Sequence, residues 1–484
     1  MAIPELAVPQ PFYYLAHHAT QRPDAIAMAC AERTYTYEEV RRYAVAIAGE
    51  LRARGVVPGD LVASWVGQEL QLFFLEAIFH EAAIWCNPPS EAVLTGDLSV
   101  DWLLAHEPVP SFASDRTIIV DNDFLLALRD STFDGRPHTY PSMESVCRLS
   151  LSSGTTGVPL AIPSTVARIS NVRNDVTEFY PYLSLMRGFT GSSAKSATNE
   201  ICRGSTFICA GSPDDNVTVA QKNFVATIHG SPLQIAAFLD VLEQREDRST
   251  SIVEVQFVGS YLSPALLERV HQVLGARVTA LYGSTETGLV TKRVDVRSDT
   301  HNVGAPLPGA AVEIVDANDN VLAPGEEGIV RTKTRRENVG YFRNENATRA
   351  HVKDGWFYPG DLGRLNEHGE LELSGRLSEV INVGGVKFNP DVLDARLVQM
   401  PNVRDGAIIS WAPNGDAGYA ALVVTDDGVD LTQLSEPLRL ASGGVPPAGI
   451  FRVPAIQRGV TGKVQRAALT EWVSSVLKNA APST

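Results

Sequence analysis

Five short stretches of this chain carry side chains suited to holding and polarising a phosphorylated ligand. The first is Ser152-Ser153-Gly154-Thr155-Thr156-Gly157. Small residues let backbone N–H groups approach an anion, and hydroxyls add donors without bulk. The same composition also suits a polar surface turn. No Gly-Lys-Ser/Thr follows, so this is not a Walker loop. The second is Tyr282-Gly283-Ser284-Thr285-Glu286-Thr287-Gly288. An aromatic ring can stack on a flat base, and a carboxylate can hold Mg²⁺ beside phosphates. The plainer alternative is a turn with an exposed Glu. The third is Trp356-Phe357-Tyr358-Pro359-Gly360-Asp361-Leu362-Gly363, where an Asp fixed in a turn can accept from a ribose diol. An ordinary turn aspartate reads the same way. The fourth is Gly375-Arg376-Leu377-Ser378-Glu379, running on to Asn382-Val383-Gly384-Gly385-Val386-Lys387. Alone it reads as a strand and hairpin turn. The fifth is Gly459-Val460-Thr461-Gly462-Lys463-Val464-Gln465-Arg466. A Lys beside Gly can reach a developing negative charge, although a Gly-Lys pair by itself means little.

Elements of an α/β protein must position these stretches. Residues Tyr37 to Arg54 predict an amphipathic helix, with Val40, Ala44, Ile47 and Leu51 at helical spacing. Thr36 and Glu39 form a capping-box pattern at its start. The strand-like Leu61 to Gly67, a further helix and the apolar Ala83 to Cys86 follow. This alternation points to a layered α/β domain. Arg148 to Gly157 reads as a strand running into a loop, and Val278 to Gly288 as a strand ending in a polar turn. Ligands bind at such strand ends in open α/β sheets. From about 303 to 375 short strands alternate with Gly turns, a β-rich piece. A fresh unit then begins, with a helix over Asp391 to Gln399, a strand over Ala417 to Thr425 and a terminal helix over Val464 to Leu477.

Composition narrows the class. A chain of 484 residues exceeds one compact core, so two or more domains are expected. Its 41 basic residues against 56 acidic give a net charge of -15, which argues against nucleic-acid binding. A phosphorylated small molecule stays possible, because a local loop of backbone N–H groups suffices for it. Cys30, Cys86, Cys147, Cys202 and Cys209 are odd in number and form no CxxC pair, so neither zinc nor a disulfide framework is expected and a reducing cytoplasm fits. The first residues lack a basic start followed by an apolar run, so no signal peptide is expected, nor is any membrane span.

Taken together and in order, the five stretches resemble those of the adenylate-forming superfamily, which holds acyl-CoA synthetases, stand-alone adenylation domains and beetle luciferases. The resemblance runs from Thr34 to about Leu469. It implies a large, multi-part N-terminal domain over 1–376 that binds ATP and a carboxylic acid. It also implies a small mobile α+β domain over 377–484, turning at Ser378. By this resemblance Ser152, Ser153, Gly154, Thr155, Thr156 and Gly157 would hold the β- and γ-phosphates. Thr285 would contact the α-phosphate, Glu286 would ligate Mg²⁺, and Tyr282, followed by Gly283 and Ser284, would stack on adenine. Gly259-Ser260-Tyr261-Leu262-Ser263 resembles the family's segment beside the adenine and acyl pocket. Asp361 and Arg376 would bind the ribose hydroxyls, and Lys463 would bridge the attacking carboxylate and the α-phosphate. Gly384 and Gly385 would pass the pantetheine arm of CoA.

The implied activity is an acid–thiol ligase that makes an acyl-AMP and then an acyl-CoA. Loading of a carrier-protein phosphopantetheine, or of another nucleophile, is the alternative. Departures from the pattern keep a third reading open, a nucleotide-binding relative without catalysis. Leu160 stands where the phosphate loop usually has Lys, which removes a cation. Tyr182 to Phe189 replaces the usual aromatic or His wall of the acyl pocket, so the acid is not legible. Arg187 in that stretch could pair with a second carboxylate, or be a surface residue.

Overall fold

The computed structural model describes residues 11–480 apart from 67, 89, 95–97, 122, 125–127, 129–141, 152–159, 171–180, 187–190, 210, 335–339, 413–416 and 459–463. The chain is an α/β protein. Its helix Tyr37–Ala53 starts as the capping pattern predicts: Thr36 Oγ1 accepts from Glu39 N, and Glu39 Oε2 accepts from Thr36 N at 2.8 Å. The apolar stripe Val40, Ala44, Ile47 and Leu51 is wholly buried. It packs with Phe74, Ile78 and Trp85 in one core of the N-terminal part.

Two sheets frame the large part. One orders Thr117–Ile119, Trp102–Ala105, Leu61–Trp65, Ile84–Cys86, Val146–Leu151 and Ala161–Thr165, parallel until the last pair. The other has Thr34–Thr36 at one edge, antiparallel to Ile26–Ala29, and runs on through the parallel strands Ile26–Ala29, Phe207–Ile208, Tyr182–Ser184, Thr227–Gly230, Glu254–Phe257 and Arg277–Ser284. At Arg277–Ser284 the direction changes, because a short hairpin returns the chain antiparallel as Gly288–Val294. Pairing continues through Asn302–Pro306, Leu371–Arg376, Asp361–Leu365 and Gly328–Thr334. The β-rich piece therefore extends the parallel sheet instead of standing apart from it.

The parallel block has two unlike faces. Leu183, Ile228, Val255 and Val278 lie on one face, in a core with Ile235, Phe238, Leu239 and Val270 of the covering helices. Alternation puts Ser184, His229, Gln256 and Thr279 on the other. Parallel sheets are usually apolar on both faces. Here the polar face is buried as well, with all four residues at most 4% exposed.

The last hundred residues form an α+β unit. A hairpin, Ile381–Val383 with Val386–Phe388, leads to the helix Pro390–Leu397, which Asn389 caps. A three-stranded sheet of Val403–Ser410, Tyr419–Thr425 and Gly449–Arg452 follows, then the helix Arg466–Ala480. Leu393, Leu397, Ile408 and Tyr419 pack on one face of the sheet, and Ile409, Leu422, Leu469 and Val473 on the other. The terminal helix starts two residues later than the periodicity predicts, because Val464 is bridged to Arg458 instead. Asn389 ties this unit closely to the strand before it. Asn389 Nδ2 donates to Ser374 O at 2.7 Å, and a Cβ on Gly375 would lie only 2.0 Å from Asn389 Nδ2. No described helix is long and apolar enough to cross a membrane.

Candidate active site

The hairpin at the end of Arg277–Ser284 turns through Thr285, Glu286 and Thr287. Gly283 is required there: a Cβ would meet the Gly288 carbonyl oxygen at 2.1 Å. The turn braces itself, since Thr287 N donates to Ser284 Oγ at 3.2 Å and the two side-chain oxygens lie 3.1 Å apart. Two residues hold it from outside. Arg168, from the short helix Val166–Ser170, donates through Nη2 to Thr285 O at 2.6 Å and Glu286 O at 2.8 Å. Burial lowers the Arg168 pKa, and the Glu286 charge partly offsets it. Tyr341 donates its hydroxyl to Glu286 Oε1 at 2.9 Å. Burial, then that carboxylate, push the Tyr341 phenol well above its ordinary range. Neither residue is visible from spacing, for they stand 117 and 55 positions from their partners.

A second constellation lies on the neighbouring strands. Asp361 and Arg376 are cross-strand partners, and Arg376 Nε meets Asp361 Oδ1 at 2.9 Å. Tyr282 donates its hydroxyl to Asp361 Oδ2 at 2.7 Å. Arg376 Nη1 also reaches Pro359 O at 2.7 Å. Asp361 opens the strand Asp361–Leu365 and does not sit within the preceding turn, so its carboxylate is fixed by sheet pairing. Each of its oxygens keeps a lone pair for a further donor such as a hydroxyl. Burial first, and then Asp361, raise the Tyr282 pKa well above the ordinary phenol value.

These residues share one cleft of about 2890 Å³, large beside the roughly 300–1,000 Å³ of a drug-sized ligand site. Tyr282, Gly283, Ser284, Thr285, Glu286, Asp361, Arg376, Gly259 and Ser260 all line it. Ser152 to Gly157 and Lys463 lie outside the described residues, as does Arg187; Leu151 and Leu160 on one side, and Val464 and Gln465 on the other, line the cleft. Gly384 and Gly385 do not line it. They form a two-residue hairpin turn with φ of +59° and +91°, in which Gly385 N donates to Asn382 Oδ1 at 3.1 Å. Such a turn needs positive φ at both positions, which glycine supplies. Leu160 packs beside Ile162, Tyr341 and Phe357, so an apolar contact occupies the position where a cation was expected.

Among the described residues, no three His, Cys, Asp or Glu side chains converge as a metal cage. Glu286 holds one oxygen toward Tyr341, and its other oxygen accepts no hydrogen bond from a described residue. One carboxylate suits a Mg²⁺ ion that takes its remaining ligands from phosphate and water.

A family model described as AMP-binding enzyme matches residues 90–342. A fatty acid–[acyl-carrier-protein] ligase of Streptomyces coeruleorubidus is 27% identical, over 95% of this chain and 96% of that protein. A 2-hydroxy-7-methoxy-5-methyl-1-naphthoate–CoA ligase of Streptomyces carzinostaticus is 25% identical, over 94% and 92%. Among solved structures, the o-succinylbenzoate CoA synthetase of Bacillus subtilis with its acyl-adenylate superposes with a TM-score of 0.80 at 23% identity, covering 94% of this chain and 97% of that one.

Proposed function

Because the chain belongs to the AMP-binding enzyme family, within the adenylate-forming superfamily, we propose that it activates a small carboxylic acid and passes the acyl group to CoA. In the first step a carboxylate oxygen bonds to the α-phosphorus of ATP and the bond to pyrophosphate breaks. In the second a thiol sulfur bonds to the acyl carbon and AMP leaves. Such chemistry needs in-line placement and charge neutralisation more than covalent help. The observation that carries the reading is the Tyr282–Asp361–Arg376 constellation beside the Glu286 hairpin in one cleft.

In this reading Asp361 and Arg376 take the ribose hydroxyls, and Tyr282 lies against adenine. Thr285 meets the α-phosphate, and Ser152 to Gly157 hold the β- and γ-phosphates. Glu286, steadied by Tyr341, is the protein ligand for Mg²⁺, which supplies charge neutralisation for the phosphates when bound. Lys463 brings a cation to the attacking carboxylate and the α-phosphate. The domains 1–376 and 377–484 turn about Ser378 between the two steps, and the Gly384-Gly385 turn guides the pantetheine arm.

The similarity to a carrier-protein ligase favours a second acceptor, the same pantetheine thiol on a carrier. A pyrophosphate-release screen of short, aromatic and medium-chain acids, with hydroxylamine as the trapping nucleophile, tests the first step without knowing the acceptor. ATP binding with no turnover of any acid would indicate the non-catalytic relative that Leu160 suggests. Mass spectrometry of products with CoA or with holo-carrier then separates the acceptors. Lys463→Ala should cripple adenylation and spare thiolysis of a preformed adenylate; equal loss in both steps removes Lys463 from this role.

A further inference from the structure

The buried polar face of the parallel sheet runs beneath the cleft. Ser184, His229, Gln256 and Thr279 are register partners across four adjacent parallel strands, so they form one row. His229 and Gln256 line the cleft, as do Met186, Phe257 and Leu233. Tyr282 lies three residues beyond Thr279 on the same strand, roughly 10 Å further along it. The row is thus set back from the residues assigned to the nucleotide, where the body of the acid would lie.

One member of the row lacks a partner among the described residues. Gln256 is 2% exposed, and its Nε2 is fully shielded with no acceptor. A buried donor left unmade is costly, and native proteins rarely keep one without a ligand or a water to meet it. Its neighbour differs. Ser184 Oγ and His229 Nδ1 lie 3.2 Å apart, which fixes the imidazole and leaves Nε2 as its other polar atom. Tyr182 stacks on that ring, with centroids 6.0 Å apart.

The row is also uncharged. Burial lowers the His229 pKa to about 4, so the ring is neutral near pH 7. The charges on the same face, Glu254 and Arg277, pair with each other at 3.2 Å. Among the described residues, three cations that line the cleft have partners away from the row: Arg168 with the hairpin carbonyls, Lys195 with Ile169 O at 2.7 Å, and Arg148 over the Trp85 ring; Arg187 lies outside the described residues. Neutral donors on a buried face satisfy a neutral oxygen, but they cannot compensate a buried second carboxylate.

Resting on the ligase reading above, we propose that Gln256 and His229 select the acid: the pocket takes a monocarboxylic acid whose acyl body bears an uncharged oxygen acceptor, such as a hydroxyl, keto or ether group. Gln256 Nε2 donates to that oxygen. The His229 ring meets the same oxygen or its proton, and Met186 and Phe257 cover the apolar remainder. Acids without the oxygen leave the donor unmade, and dicarboxylates set a second anion against a row that carries no charge.

The test uses the full-length protein and matched acids that differ by one hydroxyl, keto or methoxy group, together with dicarboxylic counterparts. Pyrophosphate release is measured for wild type, Gln256→Met and Ser184→Ala, and the melting temperature is measured with each acid alone. Oxygen-bearing acids should exceed their plain partners by at least about tenfold in kcat/KM, carried mainly by KM. Gln256→Met should bring that ratio within about threefold, with a melting temperature of the ligand-free protein no lower than wild type. Ser184→Ala, which frees the ring, should narrow the ratio in the same direction, and it decides the matter if Gln256→Met does not fold. Equal use of plain and oxygenated acids by wild type overturns the inference, as does preference for dicarboxylates or an unchanged ratio in a folded variant. If no acid turns over, the ligase reading fails, and the melting temperatures still judge the pocket. Stabilisation by oxygenated acids alone supports it, and the lack of any such difference overturns it.

Discussion

Glu286 is steadied by the Tyr341 hydroxyl through a hydrogen bond to a charged group. Such bonds contribute about 1.5–3 kcal/mol. Tyr341→Phe should therefore slow acyl-adenylate formation by about ten- to a hundredfold and raise the Mg²⁺ concentration needed for half-maximal rate. A magnesium titration of pyrophosphate release checks this, and an unchanged midpoint would remove Tyr341 from metal placement. Glu76 poses a different residue-scale problem. It is wholly buried in the helix Gln68–His80, and neither carboxylate oxygen has a hydrogen-bond partner among the described residues. Burial pushes its pKa up from 4.5 to about 8. The folded state then holds the proton longer than the unfolded one. Its stabilising effect is full below pH 4.5 and is lost as pH rises toward 8, a change on the order of 3–5 kcal/mol. Glu76→Gln should flatten the fall in melting temperature between pH 5 and 8. His229 acts with the opposite sense: its pKa is lowered to about 4, so stability falls as pH drops from 6.5 toward 4.

At the scale of elements, the hairpin between Arg277–Ser284 and Gly288–Val294 depends on the close approach at Gly283. Gly283→Ala places a Cβ against a backbone carbonyl that cannot move without breaking the pairing. A loss of about 1–3 kcal/mol is expected, together with loss of adenylation. A purified variant with wild-type melting temperature and rate would show that the turn adapts. The strand and its polar turn were legible in the sequence, because the apolar run and the Gly-Ser-Thr-Glu-Thr-Gly stretch are local signals. The capped helix Tyr37–Ala53 was legible for the same reason. The partners were not. Arg168 and Tyr341 reach the turn from other elements, and only tertiary packing brings them there. The polar row misleads in another way. Alternation in Thr227–Gly230 and Glu254–Phe257 matches a strand with one wet face, yet both faces are buried. Local pattern records which side is polar but not what covers it. Leu160 was readable as a missing cation, and only the structure shows the apolar contact with Tyr341 and Phe357 that takes its place.

Across the whole molecule, the C-terminal unit is organised around one half-buried guanidinium. Arg466 bonds Asp394 at 2.8 Å and Ile408 O at 2.6 Å, contacts Asp391 closely, and reaches Glu379 at 3.3 Å. Removing the centre of such a cluster leaves its carboxylates uncompensated; for a fully buried pair this costs about 3–5 kcal/mol, and less where solvent reaches it. Arg466→Ala should therefore melt residues 377–480 first, seen by calorimetry as an added low-temperature transition while the N-terminal cores hold. A single shifted transition would mean that the two parts melt as one. The other large-scale feature is the unbroken sheet that joins the parallel block to the antiparallel strands. It governs how the protein can be cut for study. A fragment ending before residue 302 would strip Gly288–Val294 of its neighbour Asn302–Pro306 and bare a row of unpaired N–H and C=O groups. Open edges of that kind recruit other chains. Truncations there should yield aggregates, so useful dissection of this enzyme must fall after Arg376, where the last of these strands ends.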